Sequence, residues 1–337
     1  MSSTFGKSIK ISIWGQSHSE SIGVVIDGIP AGKKIDMEKL EQFMQRRAPG
    51  RDKYSTPRKE ADKVEFQSGI IDGVTCGAPI CALIRNTNTK SSDYDKIRDI
   101  PRPAHADYPA FVRHNGANDV SGGGHFSGRL TAPLCIAGGI AKQFLEEKGI
   151  TVSAAIKSIG GETDLEKAFA IIDKARENLD SVGGIIECIV SGLPVGVGDP
   201  MFDGMENRIS QAVFAVPAIK GIEFGNGFEC AKLFGSENND EYYMDGDKIR
   251  TKTNNHGGIL GGLTSGEDLI FRVAVKPTPS IGKEQKSVSL SRKEDTDLII
   301  VGRHDPCILP RATVCIEAAA AIAVYDAVID YLKGCNL

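Results

Sequence analysis

VVIDGIPAG at residues 24–32 and CIVSGLPVG at residues 188–196 share one pattern, an apolar run that ends in Gly-x-Pro-x-Gly. A second pair follows in the same order, GIIDGVTCG at 69–77 and GILGGLTSG at 258–266. Apolar runs closed by glycine and proline are typical of strands that end in tight turns. Coincidence among glycine-rich turns is the alternative. Because two matches occur in the same order, we predict a duplicated unit with halves at about 9–150 and 151–332.

Hydrophobic spacing predicts the elements around these stretches. Asp36 is expected to cap a helix that ends at Arg47, and Asp199 to cap a second helix with Pro200 at its first position. This second helix should bury Met205, Ile209 and Val213. Strands are predicted at 9–13, 23–27, 79–85, 150–159 and 269–276, and helices at 131–148 and 317–332. We expect an α+β fold, a single domain over residues 1–337, in which each half has a mostly antiparallel sheet with a helix against one face.

The composition is that of an ordinary soluble protein. Apolar residues make up 41 % of the chain and charged residues 25 %, and the net charge is −4. This charge gives no general attraction to nucleic acid or to anionic membranes. The eight cysteines form no CxxC pattern, and the first ten residues contain no apolar run. We therefore expect a reduced, cytoplasmic protein that binds neither nucleic acid nor membrane.

Two histidines stand in polar or proline-bounded loops that suit an acid or a base. His18 lies in GQSHSE at 15–20, and His105 lies in RPAHAD at 102–107. Loops held at strand ends often carry such groups. Either histidine alone could also be an ordinary surface residue bonded to its neighbours.

Anion binding is predicted at a basic segment and at a glycine-rich one. RRAPGRDK at 46–53 continues to Arg58, and its arginines suit a phosphate or a carboxylate. SGGGHFSGR at 121–129 precedes a predicted helix, where backbone N–H groups can face an anion. A solvated basic surface is the competing interpretation of the first segment. GRHDPC at 302–307 matches no zinc ligand spacing, so we expect no metal.

Together with KPTPS at 276–280, these motifs make the chain resemble the chorismate synthase family from about Gly6 to the last helix. The resemblance implies a β-α-β sandwich of two mostly antiparallel sheets with helices between them, a homotetramer and bound reduced FMN. It also implies conversion of 5-enolpyruvylshikimate 3-phosphate to chorismate and phosphate by an anti-1,4-elimination. An external flavin reductant or reductase is expected, because no added reductase segment is evident.

The resemblance also implies roles for individual residues. His18 would protonate the departing phosphate, His105 would protonate the reduced flavin, and Asp305 would assist removal of the C6 hydrogen. Substrate or phosphate would contact Arg47, Lys53 and Arg129. The flavin would contact His125, Phe126, Ser127, Ala218, Gly261, Lys276, Pro277, Thr278, Pro279, Ser280 and Arg303.

The chain departs from the usual motifs at several of these places. Gln16 and Ser19 replace Glu and Gly, and Ala104 replaces Gly. The glycine-rich loop continues as His-Phe-Ser-Gly-Arg-Leu at 125–130 instead of Arg-Ser-Ser-Ala-Arg-Glu. Two other functions remain in competition, an NAD(P)H-dependent flavin reductase and a non-catalytic protein that binds anions or RNA through the basic segment. The second is opposed by the near-neutral net charge and the absence of recognised RNA motifs.

Overall fold

The computed structural model describes residues 3–48, 50, 62–86, 98–300 and 305–334. The first half contains β1 (Thr4–Phe5), β2 (Lys10–Gly15), β3 (Ser21–Asp27), α1 (Met37–Arg47), β4 (Val64–Ser68), β5 (Ile70–Ile71), β6 (Val74–Thr75), β7 (Ile80–Arg85), α2 (Asp107–Arg113) and α3 (Thr131–Glu146). The second half contains β8 (Thr151–Ile159), α4 (Leu165–Glu177), β9 (Gly184–Ser191), α5 (Met205–Phe214), β10 (Ile219–Phe224), α6 (Gly235–Asn238), β11 (Tyr242–Asp245), β12 (Lys248–Thr251), β13 (Ile259–Leu260), β14 (Leu263–Thr264), β15 (Leu269–Val275), β16 (Gln285–Ser289), β17 (Glu294–Leu298) and α7 (Leu309–Gly334).

Two antiparallel sheets form the outer layers. The first has the strand order β1-β2-β3-β7-β4, and the second has the order β10-β15-β9-β8. Helix α3 packs on the first sheet, α7 packs on the second, and the two helices pack on each other. The predicted α+β fold, a β-α-β sandwich with helices between two sheets, is therefore confirmed.

The centre of the sandwich is the close contact between α3 and α7. A Cβ added to Gly138 would lie 2.3 Å from the Cα of Ala318, so only glycine allows the two backbones to come this near. Helix α7 is long and apolar enough to cross a membrane, but 94 % of its apolar window is buried inside the protein. The hydrophobic effect stabilises such a helix in a protein core. The seven cysteines in the described part of the chain are free thiols.

Each half makes the same hydrogen bonds within its copy of the repeated stretches. Thr75 Oγ1 donates to the carbonyl of Pro30 (2.7 Å), and Thr264 Oγ1 donates to that of Pro194 (2.6 Å). Each threonine also accepts the backbone N–H three residues beyond its proline, at 2.9 Å. The order β2-β3-β7-β4 corresponds to β8-β9-β15-β10. These contacts support the duplication, which stays a prediction.

Helix α1 begins and ends as predicted, with the Asp36 carboxylate accepting from the N–H of Lys39. The predicted start of α5 is wrong, because Gly204 is its N-cap and residues Met201–Asp203 form a 3-10 turn. A residue that is distant in the sequence fixes this start, since the N–H of Met205 donates to the carbonyl of Gly262 (2.9 Å).

The buried face predicted for α5 is confirmed, because Met205, Ile209 and Val213 are fully buried. Helix α7 begins at Leu309 instead of at 317. Pro310 is compatible with this earlier start, because the first turn of a helix needs no N–H from that residue.

Candidate active site

The glycines of the 121–129 segment bring His18 and His105 to one loop. Gly122, Gly123 and Gly124 have φ of +61°, +96° and +56°, a left-handed conformation that favours glycine. A Cβ on Gly122 would lie 2.3 Å from His18 Cε1, and a Cβ on Gly123 would lie 3.0 Å from His105 Cε1. The two predicted catalytic histidines therefore contact consecutive residues.

His18 is held by the hydroxyl of Ser17. Ser17 Oγ donates to the carbonyl of Ser121 (2.8 Å) and lies 2.9 Å from His18 Nδ1. The hydroxyl has one hydrogen and gives it to the carbonyl, so Nδ1 of His18 must be the donor in the second bond. The N–H of Ser17 also donates to the carbonyl of Gly124 (3.1 Å), which joins the two loops.

His105 is held by a buried ion pair. Asp107 Oδ1 lies 2.6 Å from His105 Nδ1, and both carboxylate oxygens accept from Arg102, at 2.7 Å from Nε and 2.8 Å from Nη2. Burial favours the neutral form of Asp107, but hydrogen bonds from Arg102 and His105 outweigh it, so the pKa of Asp107 is lowered. The carboxylate is therefore ionised at neutral pH.

A second buried ion cluster lies at the other end of the same loop. Arg47 is 3 % exposed and donates to Asp62 (2.7 Å) and to the carbonyl of Gly128 (3.2 Å). Arg129 also donates to Asp62. Although burial alone would raise the pKa of Asp62, the charges of Arg47 and Arg129 lower it. Lys53 and the other cations at 51 and 58 lie outside the described residues.

Asp305 joins this cluster through Arg311. Arg311 Nη1 donates to Asp305 Oδ2 (2.8 Å), and its Nε donates to the carbonyl of Arg47 (3.1 Å). Burial, followed by the charge of Arg47, lowers the pKa of Arg311. Arg303 lies outside the described residues. The carboxylate predicted to be catalytic is thus part of the arginine cluster.

The 276–280 segment reaches the His105 loop. Lys276 Nζ donates to the carbonyl of Ala104, the residue before His105, and Ala104 has a left-handed φ of +57°. The N–H of Lys276 donates to the carbonyl of Ala218 (3.0 Å). Burial, together with Lys220, lowers the pKa of Lys276. One predicted flavin contact, Lys276, is therefore bonded to the residue before a predicted catalytic histidine, and a second, Ala218, is bonded to Lys276.

The same segment is bonded to Ser181, which lies next to a residue that holds the backbone after Asp305. Ser181 Oγ donates to the carbonyl of Thr278 (2.7 Å), and the N–H of Val182 donates to that of Pro306 (2.9 Å). Thr278 Oγ1 is buried with no hydrogen-bond partner among the described residues, and Ser280 is buried. Thr278 and Pro306 are thus bonded to the neighbouring residues Ser181 and Val182, while the Asp305 carboxylate itself is bonded to Arg311.

The His125 ring makes two contacts within the chain, in addition to any contact with a cofactor. Its Nδ1 lies 2.8 Å from the carbonyl of Gly15, and its Nε2 lies 2.7 Å from Ser3 Oγ. Both ring nitrogens are thus engaged within the chain. Phe126 is 37 % exposed, and Ser127 Oγ accepts the N–H of Arg129 (3.2 Å).

Gly261 does not lie with the other predicted flavin contacts. It belongs to the β13–β14 turn, beside the strand end at Leu269, whereas Lys276 follows the other end of β15 at Val275. At a rise of about 3.3 Å per residue, these strand ends are roughly 20 Å apart. Within one chain, Gly261 and the 276–280 segment face different places.

Sequence reasoning missed four residues that hold the site. Asp107 and Arg102 stand in the same short motif as His105, so their position could have suggested a shared role. Asp62 and Arg311 gave no comparable signal, because each meets the cluster only in the folded chain. No three potential metal ligands come together in the described part of the protein.

This arrangement suits proton transfer at an anionic substrate. His105 lies next to the buried guanidinium of Arg102, and His18 contacts the same glycine loop. A histidine can give or take a proton near neutral pH. The guanidinium groups of Arg47, Arg129 and Arg311 can bind a phosphate or a carboxylate.

Comparison with known proteins agrees with this chemistry. The profile of the chorismate synthase family matches residues 9–329. Similar curated proteins named chorismate synthase come from Chitinophaga pinensis (47 % identity over 96 % of this chain and 95 % of the relative) and Dehalococcoides mccartyi (44 % identity over 97 % and 96 %). A crystal structure of a chorismate synthase aligns with a TM-score of 0.75 at 27 % identity, over 97 % of this chain and 94 % of that one. Motifs, fold and full-length similarity together show that the chain belongs to the chorismate synthase family.

Proposed function

We propose that the residues around the Gly122–Gly124 loop form the active site at which 5-enolpyruvylshikimate 3-phosphate loses phosphate to give chorismate. As a member of the family, the chain is a carbon–oxygen lyase that acts at the last step of the shikimate pathway, in aromatic amino acid biosynthesis. The observation that carries the assignment of the site is the contact of His18 and His105 with consecutive glycines of one loop.

His18 is proposed as the acid that protonates the departing phosphate. Because its Nδ1 donates to Ser17, its Nε2 is the nitrogen that can present a proton to the leaving oxygen. A positioned acid of this kind accelerates a reaction by ~10²–10⁴-fold.

The arginine cluster is proposed as the binding site for the anionic groups of the substrate. Arg47, Arg129 and Arg311 contribute three positive charges and Asp62 and Asp305 two negative ones, so these described side chains leave a net charge of +1. A net cation in a partly buried place stabilises the phosphate as it departs. Lys53 keeps its proposed role at the same site.

Reduced FMN is proposed as the cofactor, and the residues around Lys276 fit it. The Oγ1 of Thr278 lacks a partner among the described residues, and the Phe126 ring is exposed. The proposed contacts are His125, Phe126, Ser127, Ala218, Pro277, Thr278, Pro279, Ser280, Arg303 and the Lys276 ammonium. Bound reduced flavin supplies electron density transiently and regains it, so that no net oxidation occurs. His105 would hold the proton for the flavin, and Asp305 would assist removal of the C6 hydrogen.

A homotetramer is proposed for two reasons. In one chain, Gly261 lies away from the other predicted flavin contacts, and an apolar surface is exposed. In the proposed assembly, Gly261 of a neighbouring copy would contact the flavin held at Lys276. The segment 228–249 exposes large apolar side chains, at 81 % for Phe228, 78 % for Phe234 and 65 % for Ile249. Exposed apolar groups in this number are typical of a surface that another chain covers. We also propose a cytoplasmic location and an external flavin reductant.

An anaerobic assay with pre-reduced FMN tests the proposed function. Chorismate should form from 5-enolpyruvylshikimate 3-phosphate without consumption of reductant beyond a trace. The flavin reductase alternative predicts instead that NAD(P)H is consumed and that no chorismate forms. His18→Ala and His105→Ala should each lower turnover more than tenfold while the assembly and FMN binding persist. Near-normal turnover of either variant would contradict the role of that histidine.

A further inference from the structure

We infer that Asp107 is a positioning residue for His105, which fixes the hydrogen on Nδ1 and leaves Nε2 facing the Gly122–Gly124 loop. The catalytic consequence rests on the proposed function, whereas the assignment of the hydrogen rests on the contacts of this chain alone.

Four contacts hold the Asp107 carboxylate in one orientation. Its Oδ2 accepts from Arg102 Nε (2.7 Å) and from the N–H of Arg102 (3.0 Å). Its Oδ1 accepts from Arg102 Nη2 (2.8 Å) and lies 2.6 Å from His105 Nδ1. The side chains of Arg102 and Asp107 are 4 % and 7 % exposed, so water does not compete for these bonds.

Two groups compete for His105 Nδ1, and their distances decide between them. Arg102 Nη2 lies 3.2 Å away and can only donate, whereas Asp107 Oδ1 lies 2.6 Å away and can only accept when ionised. The lowered pKa of Asp107 keeps it ionised. A lone pair on Nδ1 would be repelled by a carboxylate oxygen at 2.6 Å, so we place the hydrogen on Nδ1, towards Asp107. Nε2 then carries either a lone pair or the transferable proton.

Nε2 of His105 faces the place where the chemistry is proposed. A Cβ on Gly123 would lie 3.1 Å from it, and Gly122, which contacts His18, is the preceding residue. Lys276 donates to the carbonyl of Ala104, which fixes the other side of the His105 backbone. With its Nδ1 bonded to Asp107, the imidazole cannot turn over without losing that bond. The carboxylate thereby controls which nitrogen meets the ligand.

An asparagine at position 107 should reverse the hydrogen. Arg102 Nη2 then meets an NH₂ group in place of its acceptor at the Oδ1 position, so this guanidinium loses one hydrogen bond and its ionised partner. The Oδ2 position receives two N–H donors that cannot become acceptors, so the amide oxygen of asparagine must take that place. The amide NH₂ group then faces His105 Nδ1 and donates to it, which moves the histidine hydrogen to Nε2. In serine proteases, the analogous Asp-to-Asn change leaves the geometry intact and lowers kcat by about 10⁴ through the wrong tautomer.

The test combines ¹⁵N NMR of histidine-labelled protein with anaerobic turnover, for the wild type and for Asp107→Asn. His105 should be assigned by the signal missing in His105→Ala. In its neutral form it should carry hydrogen on Nδ1 in the wild type and on Nε2 in Asp107→Asn. We expect kcat to fall at least tenfold in Asp107→Asn, with KM changed less than threefold. Asp164→Asn, which changes an exposed helix cap, is the matched control and should keep both readouts at wild-type values.

The outcomes separate this inference from the proposed function. Hydrogen on Nε2 of His105 in the wild type overturns the inference, and that measurement does not depend on the Asp107→Asn variant. A reversed tautomer with kcat within twofold of the wild type overturns the positioning role and leaves the lyase function intact. A wild type that forms no chorismate but shows the expected tautomers contradicts the proposed function and leaves the hydrogen assignment standing.

Discussion

Replacement of Gly122 by alanine would place a methyl group where the His18 imidazole now lies. The new Cβ would be 2.3 Å from His18 Cε1, 2.5 Å from its Nδ1 and 2.6 Å from Ser17 Oγ. These distances are far inside van der Waals contact, so the imidazole and the hydroxyl must both move. The side chain that we propose as the acid is therefore displaced by a change that removes no polar group.

The expected cost has two parts. A left-handed φ of +61° costs alanine roughly 1–2 kcal/mol. Loss of the Ser17 bonds to His18 and to Ser121 costs about 1 kcal/mol each. The free energy of unfolding should thus fall by about 3–4 kcal/mol, and turnover by ~10²-fold or more, because an acid of this kind contributes at least that factor.

Gly149→Ala is the matched control, because Gly149 has a φ of +75° and no atom within 4 Å of an added Cβ. It carries the backbone penalty alone, about 1–2 kcal/mol, and should keep wild-type turnover. Denaturant unfolding and the anaerobic chorismate assay measure the two quantities. Turnover of Gly122→Ala within threefold of the control variant would contradict the proposed displacement of His18.

Three further predictions concern stability. Ala104→Gly should raise the free energy of unfolding by about 1 kcal/mol, because Ala104 has a φ of +57°; denaturant unfolding measures this, and a loss of stability would contradict it. Asp62→Asn should lower it by about 3–5 kcal/mol, since Arg47 keeps its buried charge but loses its ionised partner; an effect below 1 kcal/mol in the same assay would oppose this. The pKa values of Asp62 and Asp107 are lowered in the folded protein, so the unfolded chain binds more protons in acid. Stability should therefore be present above about pH 4 and fall below it, and a melting temperature that stays constant from pH 5 to pH 3 would contradict this.

Most helices and strands could be predicted from the sequence, because buried residues recur at a short, regular spacing within each element. Helix α1 was predictable from Asp36 and its apolar spacing, since its cap and its buried face lie within the element. The start of α5 was not, because the carbonyl of Gly262, distant in sequence, accepts its first N–H. Helix α7 was predicted too short, because the prediction began at the alanine-rich stretch from Glu317 and left out the first turns, which start at Leu309.

The site was predictable where one short motif holds its own chemistry. Both histidines could be predicted from their motifs, and the folded chain brings them to neighbouring glycines. It gave no sign that the ring nitrogens of His125 are bonded to Gly15 and Ser3, because such bonds join separate segments. Asp62 was missed for the same reason, since only the folded chain brings it to Arg129.

The contact between Gly138 and Ala318 restricts how the two central helices can move. The backbones of α3 and α7 touch there, so the two halves cannot slide along each other without atomic overlap. The starts of both helices, at Thr131 and Leu309, are therefore kept at a constant separation beneath the arginine cluster. Both parts of the site that these helix starts support are thus anchored to one backbone contact in the centre of the sandwich.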